Sequence, residues 1–233
     1  MNKIKETNTQ HYINHRKRLR NRYIKQGIES LQQYEIIELF LTFVIPRKDV
    51  KPAAKKAINT FGSIQGFFDA DENELKKIPY FKDNAITLRK FIKDVSLLYQ
   101  KQKLEMIPVS QSKEELISYC INKVGLNEKE EFWLIPLDSK NAIIKGKEIL
   151  ISKGLIDKTA VYPRQIIENA LKCGAHSILL IHNHPNGNPK ATEQDITITK
   201  AIDIPARVLN MRIYDHIIIA GKKYFSFREN KML

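Results

Sequence analysis

The hydrophobic period of this sequence changes part-way along the chain, and that change divides what it can fold into. Up to about residue 105 apolar residues recur every three or four positions; beyond it they come in short unbroken runs. Leu31, Tyr34, Ile37, Leu41 and Val44 make one helical stripe, which Ile45-Pro46 ends. The spacing predicts further helices over His11–Gly27, Val50–Phe61, Gly66–Tyr80 (Asp71 near its start) and Asn84–Tyr99. Gln100–Lys113 is polar, contains Pro108, and reads as a linker. After it, Glu115–Val124, Pro163–Cys173 and Thr192–Ile204 read as helices. Phe132–Leu137 and Ser177–His182 read as buried strands, and Val208–Tyr214, His216–Ala220 and Tyr224–Phe227 as closing strands. Ala142–Ile151, broken by Gly146, is one strand or a hairpin. The expected class is mixed α/β: a helical N-terminal domain (1–105), then an α/β domain (106–233) whose central mixed sheet is flanked by helices.

Composition narrows the function classes. Of 233 residues, 42% are apolar and 28% charged, which is globular. The apolar runs Ser177–Ile181 and Ile217–Ala220 are strand-sized, well short of the roughly 20 residues a bilayer span needs, so no membrane partner is expected. Met1–Gln10 is polar and lacks an apolar signal core. Two cysteines, Cys120 and Cys173, exclude a disulfide scaffold and a four-Cys zinc site. A reducing, cytoplasmic location is the expectation. The net charge is +13, and residues 1–105, with 21 basic and 12 acidic side chains, hold +9 of it. Arg16, Lys17, Arg18, Arg20 and Arg22 concentrate that charge; they are either a nucleic-acid arm or a solvated helix face.

The chemistry-bearing residues lie at 181–195. The strand SILLI delivers His182 and His184, and strand geometry points residues two apart to the same side. Both imidazoles can therefore converge on one ion. Asn186-Gly187 reads as a turn, after which Thr192 is the expected N-cap of a helix with Asp195 in its first turn. Thr192-x-x-Asp195 is also an ordinary capping arrangement. Two imidazoles, a carboxylate and water make an open three-ligand zinc site, the catalytic form. His-Glu-x-x-His and Pro-Cys-x-x-Cys are both absent, excluding zincins and zinc deaminases on motif grounds.

His182-x-His184, seven residues beginning with Pro185, then Thr192-x-x-Asp195 resembles the JAMM motif of the JAB/MPN metalloprotease superfamily. The flanks resemble the RadC family: HNHPNGNP its His-Asn-His-Pro-Ser-Gly signature, TAVYPRQIIE (159–168) its Val-His-Pro-Arg-Glu segment, and Asp215-His216-Ile217 its Asp-His-Ile strand. Upstream, ELFLTFVIPRKDVKPAAKKAINTFGS resembles the family's helical N-terminal region, and the likeness covers about residues 15–228. It implies one zinc per chain held by His182, His184 and Asp195. It also implies Glu130 as the general base on the ion's water; Glu131 is the adjacent rival, which strand alternation faces the other way. Thr192, where the family usually has Ser, would help hold the oxyanion. The implied substrate is a peptide or isopeptide bond. The alternative implied is a DNA-binding protein of repair or recombination, or a nucleic-acid-localised hydrolase or nuclease. Against DNA contact, the family's helix-hairpin-helix glycines are missing from Ile78-Pro79-Tyr80-Phe81-Lys82-Asp83-Asn84. Lys76, Lys77 and Lys82 read as a solvated face. His216 reads as a structural histidine in preference to a partner of the site, Trp133 as core, and Ser152–Tyr162 as a plain connection.

Overall fold

A computed structural model describes residues 2–154 and 161–233, with side chains from Asn14 onward. The chain divides into two compact units, Met1–Val95 and Ser96–Leu233.

The first unit is helical, as its periodicity predicts. Its elements are α1 (Asn2–Gln26), α2 (Gln33–Val44), α3 (Lys51–Phe61), α4 (Ile64–Asp69), α5 (Glu72–Lys76) and the start of α6 (Asp83–Leu104). The predicted single helix over Gly66–Tyr80 is two short ones. Ser63 caps α4, accepting from Gly66 N, and Asp71 caps α5, accepting from Asn73 N and Glu74 N. The core gathers Ile37, Leu41, Val50, Ala54, Phe67, Leu75 and Phe81. Arg89, 7% exposed, donates to the carbonyls of Phe67, Phe68 and Ala70 at the end of α4. The Ile78–Phe81 turn forms without glycine: Phe81 N donates to Ile78 O (3.2 Å), and Tyr80 takes φ 72°, the left-handed region a glycine would favour.

The second unit corrects the linker expectation. Helix α6 runs on to Leu104, which is fully buried with Val109 in this unit's core, so Gln100–Lys113 is packed structure. Then come α7 (Lys113–Val124), β1 (Glu131–Leu137), β2 (Ile149–Lys153), α8 (Pro163–Cys173), β3 (Ser177–Asn183), α9 (Glu193–Val208), β4 (Arg212–Ala220) and β5 (Lys223–Ser226). The mixed sheet has order β2-β1-β3-β4-β5; β3 and β4 are parallel and the other neighbours antiparallel. Helix α9 continues past Pro205 and makes the β3-to-β4 crossover. The strand expected over Val208–Tyr214 therefore begins only at Arg212 and is continuous with His216–Ala220. Of Ala142–Ile151, only Ile149 onward is strand, and Ile143 makes a lone bridge to Leu137. Of the connection expected over Ser152–Tyr162, residues 155–160 lie outside the described residues.

Strand β3 is buried along its whole length because helices cover both faces. Leu179 and Ile181 pack with Leu116, Tyr119 and Cys120 of α7. Ile178 and Leu180 pack with Ile166 and Ala170 of α8 and Ile202 and Ala206 of α9. Among the described residues no helix is long and apolar enough to cross a membrane.

Candidate metal centre

Alternation along β3 puts His182 on the face of Ile178 and Leu180, under α8 and α9, and Asn183 on the opposite face. His184 prolongs the line, its N–H donating to Ile219 O at 2.7 Å. Antiparallel β1 sets Phe132 across from His182, with the two rings stacked at 5.6 Å. Two residues further along the same register, Glu130 comes opposite His184. Glu130, His182 and His184 each offer one donor atom, all within 4.8 Å of one another. His184 Nε2 lies 2.9 Å from His182 Nε2 and 3.9 Å from Glu130 Oε1.

Helix α9 brings in Asp195. Its Oδ1 is 3.1 Å from His182 Nε2 and its Oδ2 3.5 Å from His184 Nε2. The capping reading of Thr192-x-x-Asp195 also holds. Thr192 Oγ1 accepts from Asp195 N (3.2 Å), while Asp195 Oδ2 accepts from Thr192 N (2.7 Å) and from the Thr192 hydroxyl (2.6 Å). The one hydroxyl proton of Thr192 is thus directed at Asp195. The cap that starts the helix is also what aims the carboxylate at the histidines.

The electrostatics favour a cation. Burial works against the charge of Asp195, but the two imidazoles of His182 and His184 and the Thr192 hydroxyl beside it outweigh that and hold the carboxyl far below the usual range. Burial lowers the His182 pKa. At His184 burial acts the same way but is outweighed by Asp195 and the Asn188 carbonyl, which raise it. That carbonyl lies 2.8 Å from His184 Nδ1 and can only accept, so Nδ1 carries a hydrogen, and in the neutral ring Nε2 presents a lone pair to the centre. Imidazole nitrogens and carboxylate oxygens converging on one locus can hold a metal ion. Beside them opens a cavity of about 550 Å³, whose apolar wall includes Phe132, Val161, Pro163, Ile198 and Ala201.

Other sequence candidates lie elsewhere. Glu131 is turned to Lys153 Nζ (2.6 Å) and the Trp133 indole N–H (3.0 Å). Asn186 and Gly187 make the expected turn: Gly187, at φ 80°, donates to His184 O. In the first unit, Arg16 donates to Lys48 O and Arg22 pairs with Glu35 at 2.5 Å, while Lys17, Arg18 and Arg20 are exposed.

Sequence reasoning missed two residues. His216, read as structural, lies with Nε2 2.8 Å from His182 Nδ1 and Nδ1 2.7 Å from Thr199 Oγ1. Asn183, between the two histidines, accepts from Glu131 N (2.8 Å) and donates to Asn127 O (3.1 Å) and Lys129 O (3.2 Å), tying down the segment that carries Glu130. The signal for the first is the β3–β4 pairing, which no local pattern reports.

Residues 110–232 match the RadC-like JAB domain. The chain is also 36% identical over 227 residues to UPF0758 protein FN0909 of Fusobacterium nucleatum, covering 94% of this chain and 97% of that protein. With just over half its length matched by the domain and a relative at that identity along nearly all of it, the chain belongs to the RadC-like JAB domain proteins of the UPF0758 family.

Proposed function

We propose that this chain is a zinc metallohydrolase that cleaves an amide bond, in a peptide or an isopeptide. The observation that carries the reading is the convergence of His182, His184, Asp195 and Glu130 at the mouth of the apolar cavity. His182, His184 and Asp195 are the proposed ligands, which leaves an open coordination position of the catalytic kind. Zinc held there would act as a Lewis acid and bring the pKa of water at the site toward about 7. Glu130, half-buried beside the histidines, takes the proton of the attacking water and returns it to the leaving amine. The apolar wall binds the substrate flanks and excludes bulk water. Thr192, its hydroxyl engaged with Asp195, acts first by orienting that carboxylate.

The test is metal content by mass spectrometry on tag-free protein, wild type beside His182→Ala, followed by hydrolysis of peptide and isopeptide libraries by wild type and Glu130→Gln. About one zinc per chain, lost in His182→Ala, is expected. Hydrolysis should fall by roughly 10²–10⁴-fold in Glu130→Gln, the usual share of a general base. No zinc in the reconstituted wild type, or full activity in Glu130→Gln, would overturn the reading.

A further inference from the structure

We propose that Thr199 and His216 are positioning residues that fix the tautomer of His182, so that its Nε2 always presents a lone pair to the metal centre. This rests on the metallohydrolase reading only in what the lone pair is for; the tautomer itself is a property of the protein alone.

The direction follows from one end of a hydrogen-bond chain. The main-chain carbonyl of Asp195 can only accept, so at 2.5 Å the hydroxyl of Thr199, one helical turn on, must donate to it. That uses the only proton Thr199 has. Its oxygen can therefore only accept from His216 Nδ1, 2.7 Å away, and Nδ1 must carry hydrogen. His216 is 0% exposed, stacked on Phe227 at 4.7 Å and tilted against Phe132 at 5.5 Å. A second proton would bury a charge among aromatic rings. His216 Nε2 is thus the acceptor, and His182 Nδ1, 2.8 Å away, is the donor. What remains on His182 is a bare Nε2, 3.1 Å from Asp195 Oδ1 and 2.9 Å from His184 Nε2.

The chain starts at the backbone of Asp195 and ends at a bare nitrogen beside the side chain of Asp195, so one turn of α9 places the carboxylate and sets the proton position of the imidazole next to it. His184 reaches the same state by a shorter route, through the Asn188 carbonyl. Without either device an imidazole can place its hydrogen on the nitrogen that must stay bare.

The experiment reads the tautomer directly, by long-range ¹H–¹⁵N NMR of the histidine rings in chelator-treated protein, and zinc affinity by competition with a chelator. Wild type and Thr199→Ser, which keeps the hydroxyl, are expected to show His182 protonated on Nδ1. Thr199→Val, nearly isosteric, is expected to give mixed tautomers and zinc binding roughly 10–100-fold weaker, the usual effect of removing such a partner. His216→Phe is expected to behave like Thr199→Val. A wild-type His182 protonated on Nε2 would overturn the proposal. So would a folded Thr199→Val with wild-type tautomer and affinity. Should Thr199→Val not fold, the tautomer in wild type and Thr199→Ser still decides. If wild type binds no zinc, the metallohydrolase reading fails, and the metal-free spectra of wild type and Thr199→Val decide this inference separately.

Discussion

The side-chain oxygen of Asn183 accepts the backbone N–H of Glu131 at 2.8 Å, across the face of β3 opposite the histidines. The same amide donates to the carbonyls of Asn127 and Lys129, so one buried side chain satisfies three main-chain groups in the segment leading into β1. Glu130 is in that segment. Its approach to His184 is therefore set from the far side of the sheet, by the residue between the two histidines. Asn183→Ala is expected to cost about 1–3 kcal/mol in urea unfolding, the penalty for leaving buried polar groups unpaired. It is expected to keep its zinc, since His182, His184 and Asp195 are untouched, and to lose hydrolysis through kcat. Unchanged kcat beside a lowered unfolding midpoint would mean that Asn183 only supports the fold.

Thr192 and Asp195 are joined in a capping box, yet their substitutions should separate. Thr192→Ala removes the cap acceptor for Asp195 N and is expected to cost about 0.5–2 kcal/mol. It leaves Thr192 N to hold the carboxylate but removes the hydroxyl that orients it, so zinc stoichiometry should stay at wild type while affinity falls less than in Asp195→Asn. Asp195→Asn retains a side chain able to accept from Thr192 N but removes the charge beside both histidines. Its expected signature is a lower unfolding free energy at neutral pH, since a carboxyl depressed on folding adds stability there, and a loss of zinc affinity of at least tenfold, read by chelator competition. Wild-type zinc affinity in Asp195→Asn would make Asp195 a helix-capping residue alone.

Much of this was legible in the sequence, and what was not shares one cause. Helix stripes such as Leu31–Val44 and the buried run SILLI are local patterns, and both elements formed. The meeting of His182 with His184 follows from strand alternation; Glu130 follows from the family resemblance, and alternation only turns its rival Glu131 away. The linker expectation failed because the chemistry of Gln100–Lys113 is polar while Leu104 and Val109 are anchored by a core assembled from distant residues. The strand expected at Val208 failed because Pro205 sits late enough in α9 for Leu209 N to bond back to Pro205 O and Ala206 O, so the helix ends beyond it. His216 was undervalued because its partner is set by the register of β3 against β4, and the hydroxyl behind it comes from a third element.

Away from the candidate metal centre, Glu148 organises one edge of the second unit. It accepts from the Tyr119 hydroxyl (2.6 Å) and pairs with Lys123 (3.0 Å) and Lys101 (3.3 Å), its side chain 7% exposed. Burial pushes its pKa up, but Lys123, Tyr119 and Lys101 outweigh that, and the net shift is downward. A carboxyl whose pKa is depressed on folding adds stability at pH above its unfolded value, about 4.3, and loses it as pH falls through the folded value. The unfolding midpoint of wild type should therefore decline on acidification below about pH 4. Glu148→Gln should be less stable at pH 7, by about 3 kcal/mol if the site behaves as a buried pair, and should show a shallower acid decline. Parallel pH curves for the two proteins would show that Glu148 contributes nothing through its charge.

The basic stretch of α1 divides by what each side chain touches. Arg16 and Arg22 are engaged within the first unit, with Lys48 O and Glu35, whereas Lys17, Arg18 and Arg20 have exposed side chains. The two sets make opposite predictions. Replacing Lys17, Arg18 and Arg20 together with alanine should change unfolding free energy by no more than about 0.5 kcal/mol per site, as for surface positions. Arg22→Ala should lower the melting temperature measurably, because it leaves the largely buried Glu35 carboxylate without its cation, and Arg16→Ala should do so less, since water reaches Lys48 O. Phosphate contacts through the Arg16–Arg22 stretch would draw on its exposed cations Lys17, Arg18 and Arg20, each adding about 0.9 to the slope of log affinity against log salt. The triple variant should therefore reduce the slope for a short DNA duplex by nearly three, while Arg22→Ala leaves it unchanged. A slope that does not move in the triple variant would remove the Arg16–Arg22 stretch from any nucleic-acid surface and identify its charge as the solvated face of a structural helix.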